Sequence, residues 1–262
     1  PNYFDILPMY LVILAMMPVV VLLGWRSPYF AAAFIGAVWL GANLGWLWLP
    51  AEPWSEREWF FNPFGWQLVF FTGFAFMRGW IPVPPVNRAL VAAALAIVVL
   101  TIPVAWYRIY TEVPMFMAWR EALGPLIAKT DFGLFRYLHF LALAYLAWAA
   151  AGEHGRRLLG GGLWGRFVAV VQKVGQQSLA VFLTSMVLAQ MAGAALDFTG
   201  RAPLTFALVN IAGFGVLIAI AYVTAWYKSQ PWRGPKPASR APQPAPMAGA
   251  SAQPSALASA RD

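Results

Sequence analysis

Long runs of apolar residues recur along this chain, separated by shorter polar stretches. Seven of these runs predict membrane-spanning helices, at residues 3–23, 29–49, 64–80, 88–107, 134–151, 178–196 and 204–226. A helix needs about 20 apolar residues to cross a hydrocarbon core about 30 Å thick. The pattern therefore predicts an all-α fold, a polytopic transmembrane helix bundle of about seven spans.

Two longer connections between these runs combine apolar or aromatic residues with charged residues. Residues 107–133 combine an aromatic stretch with scattered charge, which predicts a segment lying at the membrane interface. Residues 163–174 place several apolar side chains opposite Arg166 and Lys173. This second pattern predicts an interfacial helix or an extension of the sixth span.

The composition changes after the last apolar run. Residues 228–262 are rich in Pro and Ala with isolated basic residues, a composition that cannot bury a hydrophobic core. The chain is therefore divided into a transmembrane domain at 1–227 and a disordered basic tail at 228–262.

Composition supports the membrane assignment and excludes some chemistry. Hydrophobic residues make up 61% of the chain and charged residues 11%, far from the values of soluble domains. The absence of cysteine excludes disulfides, thiolate metal sites and Cys nucleophiles. No metal-ligand spacing is present, so no metal site is expected.

The net charge of +8 reflects loops and the tail rather than one basic face, so a nucleic-acid partner is not expected. One set of alternate loops, with the tail, holds twelve basic and two acidic residues, whereas the other set holds six basic and eight acidic residues. The positive-inside rule then places the C-terminus in the cytoplasm. Seven crossings place Pro1 outside.

An outside N-terminus normally requires a preceding membrane span. The chain begins Pro-Asn-Tyr-Phe-Asp and lacks the features of a signal peptide. We therefore expect it to be the C-terminal part of a longer protein, missing an odd number of N-terminal spans, and to be inactive alone.

Polar groups in a membrane cost free energy unless they are paired, which makes each one a candidate functional residue. In the predicted topology, polar groups at the outer ends of three spans converge on one outward-facing cavity. The polar and aromatic residues placed there are Asp5, Asn62, Trp66, Gln67, Lys129, Asp131, Arg136 and His139.

Simpler structural roles also fit three of these residues. Asn62 precedes a proline, which is typical of a helix cap. Gln67 lies one turn further and suits a hydrogen bond between helices. The charge of Arg136 can reach the interface as an anchor.

The remaining polar positions also have structural interpretations beside a functional one. His139 is spaced to share a helical face with Arg136, either for proton transfer or as a structurally hydrogen-bonded histidine. Lys129 and Asp131 fit a solvated loop pair. Ser178 is placed to cap the sixth span.

Five segments together resemble the OpgC family, at residues 3–10, 60–68, 129–136, 139–146 and 175–179. The Asn-Pro-Phe-Gly-Trp-Gln run at 62–67 is the most specific of these motifs. The resemblance extends to about Tyr227. The family comprises bacterial membrane proteins associated with succinyl modification of osmoregulated periplasmic glucans, and it is related to the acyltransferase-3 superfamily.

The resemblance implies an inner-membrane O-acyltransferase that moves succinyl from a coenzyme A ester, as donor substrate, to glucan hydroxyls at the periplasmic face. No bound cofactor is implied. The expected partners are the lipid bilayer, the glucan acceptor and the missing N-terminal spans. A transporter, or a non-catalytic membrane partner for a saccharide or acyl group, is the alternative, although no repeated halves are present.

The resemblance also suggests residue roles. His139 is the catalytic candidate, as an orienting or relay group. The substrate-binding candidates are Asp5, Asn62, Trp66, Gln67, Lys129, Arg136 and Ser178, with Lys129 and Arg136 attracting the anionic donor. Two departures stand against this: Gln177 occupies a position where the family often has His, and the family's expected catalytic His lies in an N-terminal span that this chain lacks.

Overall fold

The described residues of the computed structural model, 5–51, Trp54 and 57–232, contain ten α-helices and no strand. The all-α prediction is confirmed. In chain order the helices are α1 (Ile6–Arg26), α2 (Pro28–Asn43), α3 (Pro63–Met77), α4 (Arg88–Ala105), α5 (Tyr107–Tyr110), α6 (Pro114–Ala122), α7 (Leu134–Ala151), α8 (Gly162–Gln176), α9 (Ser178–Thr199) and α10 (Pro203–Ser229). Short 3-10 helices lie at Gly124–Ile127 and Glu153–Leu158.

Five of these helices, α1, α4, α7, α9 and α10, are long and apolar enough to cross a membrane. The helices α2 and α3 have 16 and 15 residues, which is short for a span. The predicted count of seven spans is therefore not confirmed. In the most apolar part of α4, α7, α9 and α10, only 6% of residues are buried inside the molecule, as expected where lipid covers apolar side chains.

The second predicted span ends earlier than its hydrophobicity indicated. The prediction reached residue 49, but α2 ends at Asn43 and Gly45 adopts a left-handed φ of +72°. The N–H of Trp46 donates to the Gly41 carbonyl at 2.8 Å, a helix-ending hydrogen bond that the left-handed glycine permits. The apolar residues that follow belong to a loop rather than to the helix.

The two amphipathic connections are helical. The 107–133 segment contains α5, α6 and a 3-10 helix, none of which has a buried residue. The second connection forms α8, which is separate from α9 because Gln177 leaves helical geometry, with φ −109° and ψ 28°. Of the two interpretations offered for 163–174, the structure favours a distinct helix.

The chain divides into two compact units, Pro1–Ala169 and Val170–Asp262. In the first unit α1, α2 and α3 pack together around a core that includes Ile13, Val20, Ile35 and Phe71, and α4 packs along α7. In the second unit α9 and α10 pack against each other across a short connection. The predicted disordered tail begins at residue 228, but α10 continues to Ser229, and the part of the tail from residue 233 onward lies outside the described residues.

Candidate functional site

Asp5 ties the start of α1 to the loop that precedes α3. The residue is 6% exposed, and its two oxygens accept hydrogen bonds from the Arg57 guanidinium at 3.1 and 3.2 Å. The Phe60 N–H also donates to Asp5 Oδ2 at 3.1 Å. A carboxylate occupied by three charge-assisted donors holds the fold together. We assign Asp5 this structural role and leave it out of the proposed substrate-binding set.

Replacing Asp5 with Asn should destabilise the protein. The variant loses the charge that holds Arg57, and we expect its free energy of unfolding to fall by about 2 kcal/mol. Denaturant titration in detergent micelles measures this change. Asp197→Asn is the matched control, because the Asp197–Arg201 pair has side chains 64% and 70% exposed and should lose less than about 0.5 kcal/mol. Equal losses in the two variants would contradict the assignment.

Asn62 joins two elements as well as capping α3. Its Oδ1 accepts from the Phe64 N–H at 3.0 Å, which confirms the predicted cap. Its Nδ2 donates to Asp131 Oδ1 at 2.9 Å and to the Leu47 carbonyl at 3.4 Å. Asn62 is 5% exposed. Its side chain therefore positions the Asp131 carboxylate from the start of α3.

Residues 129–133, which we call the clamped loop, lie across the end of α2 and the start of α3. Four consecutive backbone carbonyls of this loop each accept a hydrogen bond: Lys129 O from Trp66 Nε1 at 3.0 Å, Thr130 O from Asn62 N at 2.9 Å, Asp131 O from Asn43 Nδ2 at 2.9 Å, and Phe132 O from Trp39 Nε1 at 2.9 Å. A loop held at four consecutive carbonyls has little freedom to move. Its side chains are consequently presented in fixed positions.

Two glycines allow the clamped loop to pack this closely. A Cβ on Gly65 would lie 2.6 Å from the carbonyl carbon of Asp131, so α3 can approach the loop only without a side chain there. A Cβ on Gly133 would overlap the Leu126 carbonyl in the same way. Phe132, which precedes Gly133, adopts a φ of +54°. This backbone angle is uncommon for a residue with a side chain, and burial and hydrogen bonding stabilise it here.

Asp131 is the carboxylate that the clamped loop presents. Its Oδ1 accepts from Asn62, whereas Oδ2 has no hydrogen-bond partner among the described residues. No ion pair joins Asp131 to Lys129 among the described residues, and the Lys129 ammonium lies over the Phe60 ring instead. A partly buried carboxylate with one oxygen fixed and one open can accept a hydrogen bond from a ligand hydroxyl.

A row of aromatic rings runs beside Asp131. The ring centroids of Phe61 and Trp66 are 4.9 Å apart, and those of Trp66 and Phe132 are 4.6 Å apart. The Lys129 ammonium lies 3.8 Å from the Phe60 centroid at the other end of the row. Aromatic surface with a few convergent polar groups is typical of small-ligand sites. The structure brings Trp66 and Lys129 together, and their role in binding substrate stays a prediction.

Positive charge accumulates at the same end of the first unit. Burial lowers the pKa of Lys129 below its ordinary value, and the positive charge of Arg136 lowers this pKa further. Arg136 Nη2 donates to the Ile127 carbonyl at 3.1 Å, which turns its guanidinium toward the segment before α7. The positive charges of Lys129 and Arg136 therefore repel each other, and their binding of one anion stays a prediction.

His139 pairs with Thr101 across the contact between α7 and α4. Its Nδ1 lies 2.8 Å from Thr101 Oγ1, and that hydroxyl donates to the Val98 carbonyl at 2.8 Å. A hydroxyl has one hydrogen, so both bonds form together only when Nδ1 carries a proton. In the neutral ring Nε2 then keeps its lone pair. The structure therefore shows the hydrogen-bonded histidine of the structural interpretation, and the role of His139 in proton transfer stays a prediction.

Gln67 lies deeper than the other candidates. It is 0% exposed, and its Nε2 donates to the Ile35 carbonyl of α2 at 2.9 Å. This is the interhelical hydrogen bond that the sequence offered as the alternative role. We leave Gln67 out of the proposed substrate-binding set because it has no accessible surface.

The family model of the OpgC protein matches residues 1–229. The chain belongs to the OpgC family. No curated protein and no solved structure matches the chain. Within this OpgC-family chain, the match includes the clamped loop, the Asn62 cap and the His139 pair, so the features described above lie inside the family domain.

The second unit carries one predicted site residue of this OpgC chain. Ser178 is the first residue of α9, and Gln177 occupies the cap position without a capping hydrogen bond from its side chain. The prediction that Ser178 caps the helix is therefore wrong. Gln177 is 9% exposed, and its Oε1 has no hydrogen-bond partner among the described groups. The substrate-binding role of Ser178 stays a prediction.

Four residues of the site were missed or undervalued in the sequence. Trp39 and Asn43 are spaced by one turn on α2 and hold neighbouring carbonyls of the clamped loop. Thr101 had no signal beyond being a polar residue in an apolar helix. Asp131 was placed among the polar residues of the outer cavity and lies within one of the motifs that resemble the OpgC family, but it was interpreted as the loop partner of Lys129.

Proposed function

We propose that this OpgC-family chain takes part in transferring a succinyl group from a coenzyme A ester to a hydroxyl of a periplasmic glucan. Membership in the OpgC family and the membrane-length helices support a transferase in a membrane. The observation that carries the proposal is the clamped loop, which fixes the Asp131 carboxylate beside aromatic rings and leads directly into the helix that bears His139.

The acceptor sugar is proposed to bind at the aromatic row. The C–H faces of a pyranose ring are apolar, so they pack against Trp66, while the ring hydroxyls need polar partners. The open Oδ2 of Asp131 would accept a hydrogen bond from one of these hydroxyls. Trp66 and Asp131 thereby orient the sugar, and Asn62 acts indirectly by orienting Asp131.

In the proposed transfer, a sugar hydroxyl oxygen attacks the thioester carbonyl carbon. The hydroxyl proton passes to Nε2 of His139, the C–S bond breaks, and the coenzyme A thiolate leaves and takes up a proton. The role of His139 is to accept or relay the proton, and Thr101 keeps Nδ1 protonated so that Nε2 is the acceptor. The cations Lys129 and Arg136 favour binding of the anionic donor.

The first test is whether the gene is needed for succinyl groups on glucans. We expect that deleting it removes labelled succinate from the glucan fraction and lowers the negative charge of that fraction on anion exchange. Restoring the full-length protein should restore both. Unchanged glucan charge after deletion would refute the proposal, and uptake of unmodified saccharide by proteoliposomes would favour a transporter.

The role of Asp131 has its own test. Asp131→Asn keeps an oxygen that can accept from Asn62, so the clamped loop should stay in place. The variant loses the charged acceptor for the sugar hydroxyl, and we expect transfer to fall about tenfold, mainly through a higher KM for the glucan. Unchanged kinetics with the glucan would remove Asp131 from the proposed site.

A further inference from the structure

Two arginines near the start of α7 are anchored by neutral partners. Arg136 Nη2 donates to the Ile127 carbonyl at 3.1 Å, and Arg120 Nη1 donates to the Val104 carbonyl at 2.9 Å. The Arg120 guanidinium also lies 4.5 Å from the ring centroid of Tyr110. Neither arginine forms an ion pair with any described residue. Each guanidinium keeps several N–H groups for another ligand.

The contacts of Tyr145 with Asn87 and of His139 with Thr101 show that α4 and α7 run antiparallel. Val104, which anchors Arg120, therefore lies at the level of Arg136. The charge of Arg120 acts unfavourably on that of Arg136, and Lys129 adds a third positive charge beside Arg136. Like charges at short range raise the free energy of the site unless an anion joins them. The backbone anchors prevent the guanidinium groups from simply turning away. The arrangement therefore favours binding of a negatively charged group.

Arg136 lies one helical turn from His139 on α7, and the carbonyl that anchors Arg120 lies one turn from Thr101, the partner of His139, on α4. On α7, Arg136 and His139 are three residues apart and share a face. On α4, Val104 anchors Arg120 and Thr101 holds His139, again three residues apart. One turn corresponds to about 5.4 Å along each helix. If the arginines hold the anionic group of a ligand, the carbon atoms attached to that group would extend toward His139.

We propose that Arg120 and Arg136 form a binding site for the free carboxylate of the acyl group that is transferred. This inference rests on the proposed function, and it adds the part of the molecule that distinguishes a dicarboxylic acyl group from an uncharged one. A carboxylate suits the site because guanidinium groups bind its two oxygens in parallel. The acyl carbonyl at the other end of the short chain would face His139.

Donor selectivity tests the carboxylate site. Membranes containing the full-length protein are supplied with succinyl-coenzyme A or with butyryl-coenzyme A, which has four acyl carbons but no free carboxylate. We expect Arg120→Gln and Arg136→Gln each to lower succinyl transfer at least tenfold and to change butyryl transfer less than twofold. Arg120→Lys should recover part of the succinyl transfer, because lysine restores the positive charge but not the pair of parallel N–H donors of a guanidinium group.

Arg108→Gln is the matched control, because Arg108 also lies over a tyrosine ring, with its guanidinium carbon 5.9 Å from the Tyr107 centroid. We expect it to leave both donors unchanged. Equal losses with the two donors would overturn the proposal in favour of a structural role. No loss with either donor would overturn it in favour of a lipid headgroup as the anion. If the unmodified protein transfers neither acyl group, the proposed function itself fails.

Discussion

Gly65→Ala is expected to reduce acyl transfer by about 100-fold or more while leaving the protein in the membrane. The added methyl would lie 2.6 Å from the Asp131 carbonyl carbon, so either α3 or the clamped loop must move. Moving reacting groups by about 1 Å can cost this much rate. Transfer of labelled succinyl to glucan, normalised to the amount of protein in the membrane, measures the effect.

Gly73→Ala is the matched control in the same helix. A Cβ at Gly73 meets no atom within 4 Å, and alanine favours helix more than glycine does. This variant should therefore keep its activity within about twofold. If Gly65→Ala behaves in the same way, the clamped loop does not position groups that matter for transfer.

His139→Ala is expected to lower kcat by a factor of about 10² to 10⁴, the range associated with a positioned general base. The loss should appear in kcat with little change in KM, because Nε2 acts on the proton that moves during reaction. His154→Ala provides the control, since His154 is the other histidine of the chain and is exposed. Equal activity of the two variants would remove His139 from the chemistry.

Thr101 offers a finer test of the same histidine. Thr101→Val removes the hydroxyl that accepts from Nδ1, and we expect transfer to drop about tenfold, whereas Thr101→Ser should restore it. A structural role alone would instead lower stability without a recovery in kcat. Unfolding measurements on both variants separate these two results.

The helices were largely predictable because their length and apolarity are local properties. The span at 134–151 has the same ends in the structure, and the 88–107 span differs by two residues. The end of α2 was not found, because the left-handed Gly45 outweighs the apolar residues after it. Hydrophobicity alone cannot detect a backbone turn within an apolar sequence.

The site was predictable only in part. The Asn-Pro pair at the start of α3 indicated a cap, and the cap is present. The partners of Asn62 and His139 were not predictable, because Asp131 lies 69 residues from Asn62 and Thr101 lies 38 residues from His139. Contacts at such separations depend on how helices rotate against each other, which periodicity does not determine. The rotation of α3 also decided between the two roles offered for Gln67. It turns this side chain toward α2, where it is buried and cannot contact a substrate.

The clamped loop is held through its main chain, and this has a consequence for how the protein can be altered. The donors belong to α2 and α3, whereas the loop contributes carbonyl groups that every amino acid possesses. Side chains at Lys129, Thr130 and Asp131 can therefore be exchanged without removing any of these four bonds. We expect that a library randomised at these three positions will contain variants that prefer other acceptors. The backbone of the clamped loop and the helices that hold it should be unchanged in those variants.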